Sequence, residues 1–577
     1  MASGKIKEQA EKSSGISRIL PIVQWLPNYD RAWLRPDVIA GLTVAALVVP
    51  KSLGYAGIAN VPIQHGLYAA AAGAILYALF GTSRQIATGP SSALAAVAAS
   101  AVIAAGVSGD DDSAVALVAA ITLLTGLLFL LLALFKMGWI SQFLSKAVIT
   151  GFLFGSAIEV VIGELPKITG TTVEGSNSWQ KLFSWLGTLP DIIWMTVLVG
   201  LLSLALIFGL RFVAPRVPGA LVLVITGILA SAIFGLGDQG LALVGDVPRG
   251  LPSPALPNLE FVMENLAVIG SAAIGLLLIG FSQSAGDARS FATKHKYQVD
   301  INQETVAQGM ANVGSGLVQG IPVSTSLSAS SLNDTSGAKT PVASLTTGVL
   351  VILTMLFLAP FFSYLPQAVL SALIIEAVVM GMMDVPEMRR LYHVKRTDFW
   401  IAVAAILGVL TAGVLAGVII GIILSFGWLV YISVSPNMPV LGRKPGTQVF
   451  RSMDEYPDSE TYPGLLVMRF DAGLFFASAD ALTDRLRELA YQAEPNLHTV
   501  VLDFEGVNFV DSQGSDTMAE ILDLATNYNI EVRLARVKTE VKELLRRDGV
   551  IDKLGESRIY GNVYEASSDQ IPDQQAS

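Results

Sequence analysis

The 577-residue sequence contains no cysteine. Disulfides, thiolate metal sites and a cysteine nucleophile are therefore excluded. Histidine is nearly as scarce, with only His65, His295, His393 and His498, none in a paired spacing. No Gly-x-x-x-x-Gly-Lys-Ser/Thr loop is present to cradle a nucleotide. These absences predict a protein that is not an enzyme and holds no metal or organic cofactor. Charge is sparse too: 15% of residues are Asp, Glu, Lys or Arg, and the formal net charge is −10. Nothing here supports nucleic-acid binding. An anionic ligand is not excluded, because binding depends on the local field and not on the total charge.

What the chain has in quantity is hydrocarbon. Hydrophobic residues make up 52% of it and the mean hydropathy is +0.58, outside the range of an ordinary soluble domain. The class expected is an α-helical polytopic membrane protein. Residues 1–35 mix charges (Lys5, Lys7, Glu8, Glu11, Lys12) and lack a short apolar core with a cleavage site, so no cleavable leader is read and this segment is expected in the cytoplasm. Apolar spans follow at about 37–61, 64–80, 114–135, 144–165, 190–210, 218–236, 262–283, 303–320, 343–362, 366–384, 398–415 and 416–433, each near the length that crosses a bilayer.

Two further segments, about 86–106 and 321–338, are broken. The second overlaps the stretch Gly320-Ile321-Pro322-Val323-Ser324-Thr325-Ser326-Leu327-Ser328-Ala329-Ser330, and the first overlaps Ser83-Arg84-Gln85-Ile86-Ala87-Thr88-Gly89-Pro90-Ser91-Ser92. Both are too polar to face lipid, and they occupy matching places in two halves of the chain, as an internal repeat gives. With them the count is about fourteen. Basic loop residues fall on alternate connections (Arg84; Lys136 and Lys146; Arg211 and Arg216; Arg289, Lys294 and Lys296; Lys339; Arg389, Arg390, Lys395 and Arg396), while Asp110, Asp111 and Asp112 fall on an opposite one. This pattern predicts both ends on the cytoplasmic side of a plasma membrane. Leu144-Ser145-Lys146-Ala147-Val148-Ile149 is similar to Leu365-Pro366-Gln367-Ala368-Val369-Leu370. Seven spans per half is odd, so the halves are expected to be inverted.

Non-helical backbone at membrane depth survives only where it lines a cavity or is buried in protein. Pro90 suits the first turn of a half-helix. Half-helices starting near Ser91 and Ser328 would aim free N–H groups and positive dipole ends at one point, which favours an anion. Hydroxyls of Ser91, Ser92, Thr325, Ser326 and Ser328 add donors; the plainer alternative is that they are small residues for close helix packing. Lys51, beside Pro50, is expected to supply positive field, and Asp287 to carry a coupling proton or sodium ion. The competing possibility is that Lys51 snorkels to an interface and Asp287 opens a loop. Glu159 is a further intramembrane carboxylate.

Asp37-Val38-Ile39-Ala40-Gly41-Leu42-Thr43, Val49-Pro50-Lys51-Ser52-Leu53-Gly54-Tyr55, Gly66-Leu67-Tyr68, Gly81-Thr82-Ser83-Arg84, Gly89-Pro90, Asn302-Gln303-Glu304 and Leu365-Pro366-Gln367-Ala368-Val369-Leu370 together resemble the SulP family of anion transporters, relatives of animal prestin and pendrin. The resemblance spans nearly the whole chain. It implies a seven-plus-seven inverted repeat divided into core and gate domains, a carboxy-terminal STAS domain, a homodimer in the lipid bilayer, and transport of a small anion. Sulfate is the first expectation, bicarbonate the second. An exchanger, a channel, or a membrane-tethered STAS sensor stays open. The family's aromatic site position falls on Tyr55 and its serines on Ser91 and Ser328. Two positions depart: Ala329 stands where many relatives carry arginine, and Gln283 where an acid is common.

Past residue 436 short apolar runs alternate with amphipathic stretches (465–470, 481–493, 499–504, 515–528, 532–537, 540–547), which predicts a cytoplasmic α/β domain over 436–566 after a transmembrane domain over 36–435. Val510-Asp511-Ser512-Gln513-Gly514 resembles the STAS loop. Gln513 has no hydroxyl, so a phosphoswitch at that position is excluded, while Ser512 and Ser515 remain open. Residues 567–577 are expected to be a disordered tail.

Overall fold

The computed structural model describes residues 20–107, 112–136, 145–175, 177–215, 217–493 and 497–571. Most of the amino-terminal segment, Asp110, Asp111, Leu144, Arg216 and the tail from 572 onward lie outside the described residues. The chain divides into two compact units inside its last apolar helix, near residue 425, upstream of the expected boundary at 435/436.

In the first unit, helices form where apolar runs are long and end where glycine or polar residues interrupt them. The first half runs α1 (Leu34–Ile58), α2 (Gln64–Phe80), strand β1 (Thr88–Pro90), α3 (Ser92–Ala104), α4 (Asp112–Leu134), α5 (Lys146–Thr169), α6 (Ser178–Gly187), α7 (Trp194–Val213) and α8 (Gly219–Phe234). The second runs α9 (Leu259–Glu264), α10 (Leu266–His295), α11 (Ile301–Leu317), β2 (Val323–Thr325), α12 (Leu327–Thr335), α13 (Val342–Leu353), α14 (Gln367–Met382), α15 (Val385–Val394), α16 (Arg396–Ala412) and α17 (Val414–Val434). Among the described residues seven helical stretches are long and apolar enough to cross a membrane. Three more helices, α2, α11 and α16, have 17 residues each, the short end of what a bilayer core needs.

The halves pack as mates. Exchanging α1 with α10, α2 with α11, α3 with α12, α4 with α13, α5 with α14 and α7 with α16 maps several of the main helix contacts onto one another. Thus α4 packs on α11 and α10 while α13 packs on α2 and α1; α5 packs on α16 while α14 packs on α7; α3 touches α10 while α12 touches α1. β1 and β2 close the relation by pairing with each other, antiparallel, in register Thr88↔Thr325, Gly89↔Ser324 and Pro90↔Val323. This is the arrangement a two-fold relation between inverted halves produces.

Proline 90 therefore ends a strand, two residues ahead of α3, instead of opening the helix as expected. Having no N–H, it is tolerated at a strand terminus. Each break finds its backbone partners in the other elements of the core. Ser330 Oγ accepts from Ala87 N at 2.9 Å, Asn333 Nδ2 donates to Gln85 O at 3.0 Å, and Ser344 Oγ donates to Ile86 O at 3.2 Å. For the second break, Asn312 accepts from Val323 N at 3.0 Å and donates to Val323 O at 2.9 Å, and Ser315 Oγ donates to Ile321 O at 2.7 Å. Buried polar backbone is thereby satisfied without lipid contact.

Two buried carboxylates clamp the ends of this region. Glu304 accepts from Thr82 N (2.7 Å), Thr82 Oγ1 (2.5 Å), Ser83 N (3.0 Å) and the Tyr77 hydroxyl, fixing the approach to β1. Asp37, fully buried, accepts from Lys339 N (2.6 Å), Thr340 N (3.1 Å) and Thr340 Oγ1 (2.7 Å), fixing the exit from α12.

The second unit holds a four-stranded parallel sheet in the order β5-β6-β7-β8 (Leu465–Arg469, Thr499–Asp503, Glu531–Ala535, Ile559–Tyr560), with a hairpin β3–β4 (Leu441–Arg443, Phe450–Ser452). Successive strand residues alternate between faces. Leu466, Met468, Val500, Leu502, Val532 and Leu534 pack with α18 (Ala479–Ala493), α19 (Ser512–Asn527) and α20 (Thr539–Arg547). Val467, Val501 and Ala535 pack with Val563 and Ala566 on the other face. The first residues of the expected disordered tail are ordered: Ser567 is fully buried and the turn Ser568–Gln570 follows it. The cause is Arg533, whose Nη1 donates to Ala566 O (2.8 Å) and Asp569 Oδ1 (2.5 Å).

Candidate functional site

A cavity forms where the paired breaks meet α1. Its walls are Val44, Leu47, Val48, Lys51, Ser52 and Tyr55 from α1, Ala74 from α2, 87–90 around β1, Ser326, Ser328 and Ala329 at the start of α12, and Ser344 and Thr347 from α13. The α1 residues recur three or four apart, which is one helical face. About 30 Å³ is open to the centres of water-sized spheres, which suits a compact ion better than an organic metabolite.

The field in the cavity is positive. Because β1 and β2 are antiparallel, α3 and α12 start from opposite ends of the ladder, and α12 presents its first turn to the cavity. Ser326 caps α12, its hydroxyl accepting from Ala329 N at 3.4 Å and lying 3.2 Å from Ser328 Oγ. Lys51 is partly buried and, among the described residues, has no hydrogen-bond or ion-pair partner. Among the described residues no carboxylate lines the cavity. An ammonium, a helix amino end and hydroxyls around such a space are chemically suited to an anion.

Of the residues singled out from sequence, Lys51, Tyr55, Ser326, Ser328 and Ala329 come together in this lining. Ser91, Ser92, Thr325, Gln283 and Asp287 lie outside it. Ser91 caps α3 with no hydroxyl bond to the helix, and Ser92 is buried. Behind β2, Ser324 Oγ donates to Gln283 Oε1 at 2.9 Å and Thr325 Oγ1 donates to Asp287 Oδ2 at 2.7 Å. Asp287 does not open a loop: α10 continues to His295. Glu159 lies on α5 with one buried oxygen that no donor reaches. Sequence reasoning did not single out Ser344, Thr347 or Thr88, and missed the clamps Asp37 and Glu304 as structural devices. A carboxylate at each end of the broken core was the signal.

In the second unit Asp511 caps α19, accepting from Gly514 N at 2.7 Å and from Phe476 N at 3.0 Å. Ser512 is exposed and Ser515 fully buried, so only the former is presented for modification.

Residues 34–405 match the model of the sulfate permease family and residues 456–566 that of the STAS domain. The protein named probable sulfate transporter of Mycobacterium tuberculosis is 35% identical over 540 residues, covering 94% of this chain and 96% of that one. Probable sulfate transporter 4.2 of Arabidopsis thaliana is 30% identical over 573 residues, covering 96% and 83%. Among solved structures, the murine Slc26a9 anion transporter in an inward-facing state superposes with a TM-score of 0.88 at 21% identity, over 97% of this chain and 96% of that one. The transmembrane domain of the cyanobacterial bicarbonate transporter BicA superposes with 0.58 at 22% identity, over 69% and 98%. At these identities the superpositions establish the fold.

Proposed function

The chain belongs to the sulfate permease family, and from that premise we propose that it is a secondary transporter that moves sulfate across the membrane by alternating access around the cavity at the paired breaks. The observation that carries this is Lys51, which has no partner among the described residues, lining one cavity with the amino end of α12 and with no described carboxylate. Relatives at 30–35% identity named as sulfate transporters support sulfate as the substrate. Bicarbonate is the second choice, since the likeness to BicA extends to fold alone. The loop charges support a plasma-membrane protein with both ends in the cytoplasm, and we infer a homodimer, with no nucleic-acid partner. Asp287, one hydrogen bond from β2, is the group proposed to carry a coupling proton or sodium ion.

Radiolabelled uptake into proteoliposomes, against a panel of sulfate, bicarbonate, chloride, nitrate and dicarboxylates, tests this directly. Saturable sulfate uptake is expected. Binding of sulfate without flux would instead favour a sensor, and a current with a reversal potential set by the anion gradient alone would favour a channel.

A further inference from the structure

Two faces of α1 border open space. Val44, Leu47, Val48, Lys51, Ser52 and Tyr55 line the anion cavity, whereas Leu42, Ala45, Ala46, Val49 and Pro50 line a groove. The two sets share the spacing of three and four and are offset by two residues, about 200° around a helix of 3.6 residues per turn. They therefore lie on opposite sides of α1. Across the groove, α8 presents Leu221, Val224, Ile225, Ile228 and Leu229, again three and four apart. The third wall is the end of α13 with the π-helical turn Thr354–Leu358 and the tighter turn Ala359–Tyr364 that follow it. About 670 Å³ is open to the centres of water-sized spheres, against about 30 Å³ in the anion cavity. Val49, Pro50, Val224 and Thr354 are buried at its floor, while Ile225, Leu229, Phe357 and Phe361 at its rim are about half exposed or more, so the groove opens sideways out of the helix bundle.

What lies outside that opening is hydrocarbon, because α1 and α13 with its extension are long and apolar enough to cross a membrane and α8 is an apolar helix beside them. Thr354 is the one polar side chain in the lining, and its hydroxyl donates to Leu350 O at 2.9 Å. Nothing there can hold water or a polar headgroup. An empty groove would forfeit dispersion contacts along its walls. We propose that the groove seats an acyl chain of a bilayer phospholipid between α8 on one side and α1 with α13 on the other. Resting on the transport reading above, the chain also has a role in movement. The anion cavity, walled by α1 and α13, opens to one side of the membrane and then the other as these helices shift against neighbours such as α8. Both walls are interrupted where they border the groove: Pro50 lacks the N–H that would bond Ala46 O within α1, and the π turn interrupts α13. A flexible chain fills the groove in either shape, whereas a side chain of fixed form fits one.

The test uses the full-length protein in phosphatidylcholine vesicles carrying a trace of phosphatidylcholine with a diazirine on its acyl chain. After irradiation the labelled residues are mapped by mass spectrometry. Label is expected to concentrate severalfold on Ala46, Val49, Ile228 and Phe357 relative to Leu198, Leu201 and Leu202 of α7, which are more than half exposed and lie outside this lining. Ala46→Trp, which fills the groove from α1, is expected to abolish the groove label and leave the α7 label unchanged. It should also slow sulfate–sulfate exchange about tenfold or more, with equilibrium binding of radiolabelled sulfate unchanged. Ile228→Phe, filling the groove from α8, is expected to act in the same way. The α7 label and the retained sulfate binding report folding in each variant. Equal label on the groove and on α7 in wild type, or groove label that persists in both variants, would overturn the acyl site. Lost groove label with wild-type exchange would overturn the role in movement. Groove label as expected in a wild type that neither binds nor exchanges sulfate would overturn the transport reading and leave the acyl site standing.

Discussion

At the scale of single residues, hydroxyls that look alike in sequence do different work. Ser328 is exposed in the cavity mouth, whereas Ser330, two residues on, is fully buried and accepts from Ala87 N at 2.9 Å. A neutral hydrogen bond is worth about 0.5–1.5 kcal/mol. Ser328→Ala is therefore expected to raise the half-saturation concentration for sulfate about two- to tenfold with thermal stability unchanged. Ser330→Ala should instead lower the melting temperature. Glu304 is the sharper case, since its buried oxygens gather several donors at the approach to β1. Glu304→Gln replaces one acceptor oxygen by a donor facing donors, so a loss of roughly 1–3 kcal/mol is expected, read as a lower melting temperature of the purified protein. Composition alone identified a hydroxyl-rich, anion-favouring stretch. Which hydroxyls face the cavity depends on the register of β1 on β2, and no local pattern encodes a pairing between residues so far apart. Thr325 illustrates this: expected to line the site, it is drawn to Asp287.

At the scale of elements, the breaks were legible because Gly-Pro and serine runs inside apolar spans have no other tolerable explanation in a membrane. The length of α10 was not. Its apolar run fades near residue 283, yet the helix continues because Ala285, Ala288, Phe291 and Ala292 keep one face buried, a stripe that an averaged hydropathy dilutes with Asp287, Arg289 and Lys294. Packing of α4 on α11 depends on glycine. A Cβ on Gly126 of α4 would lie 2.6 Å from Val313 N and 2.8 Å from Gly309 O of α11, below any normal contact. Gly126→Val is expected to force α4 from α11 and cost about 1–3 kcal/mol or more, seen as reduced yield and a lower melting temperature. A mild effect there would mean that the two helices are not in backbone contact.

At the scale of the whole molecule, the α/β domain was legible strand by strand because its runs alternate with period two, and the repeat was legible because polar interruptions recur in both halves. The carboxyl-terminal boundary was not, because what orders Ser568–Gln570 is one distant arginine. Hydrogen bonds from Arg533 hold the Asp569 carboxyl down to about 2, below the usual value of about 3.9. A depressed folded-state value contributes stability above the unfolded one and loses it as pH falls from about 4 to about 2. Peptic cleavage in the last described residues should accelerate across that window, and Asp569→Asn should already be cleaved faster at its upper end. Acid-independent cleavage would contradict the assignment.

The most direct measurement of the central claim, that the paired breaks and Lys51 enclose the anion, is equilibrium binding of radiolabelled sulfate to the purified full-length protein and to Lys51→Met. Saturable binding in wild type, weakened about tenfold or more by the substitution and retained in Lys51→Arg, is the expected result. Equal affinity in wild type and Lys51→Met would place the anion elsewhere.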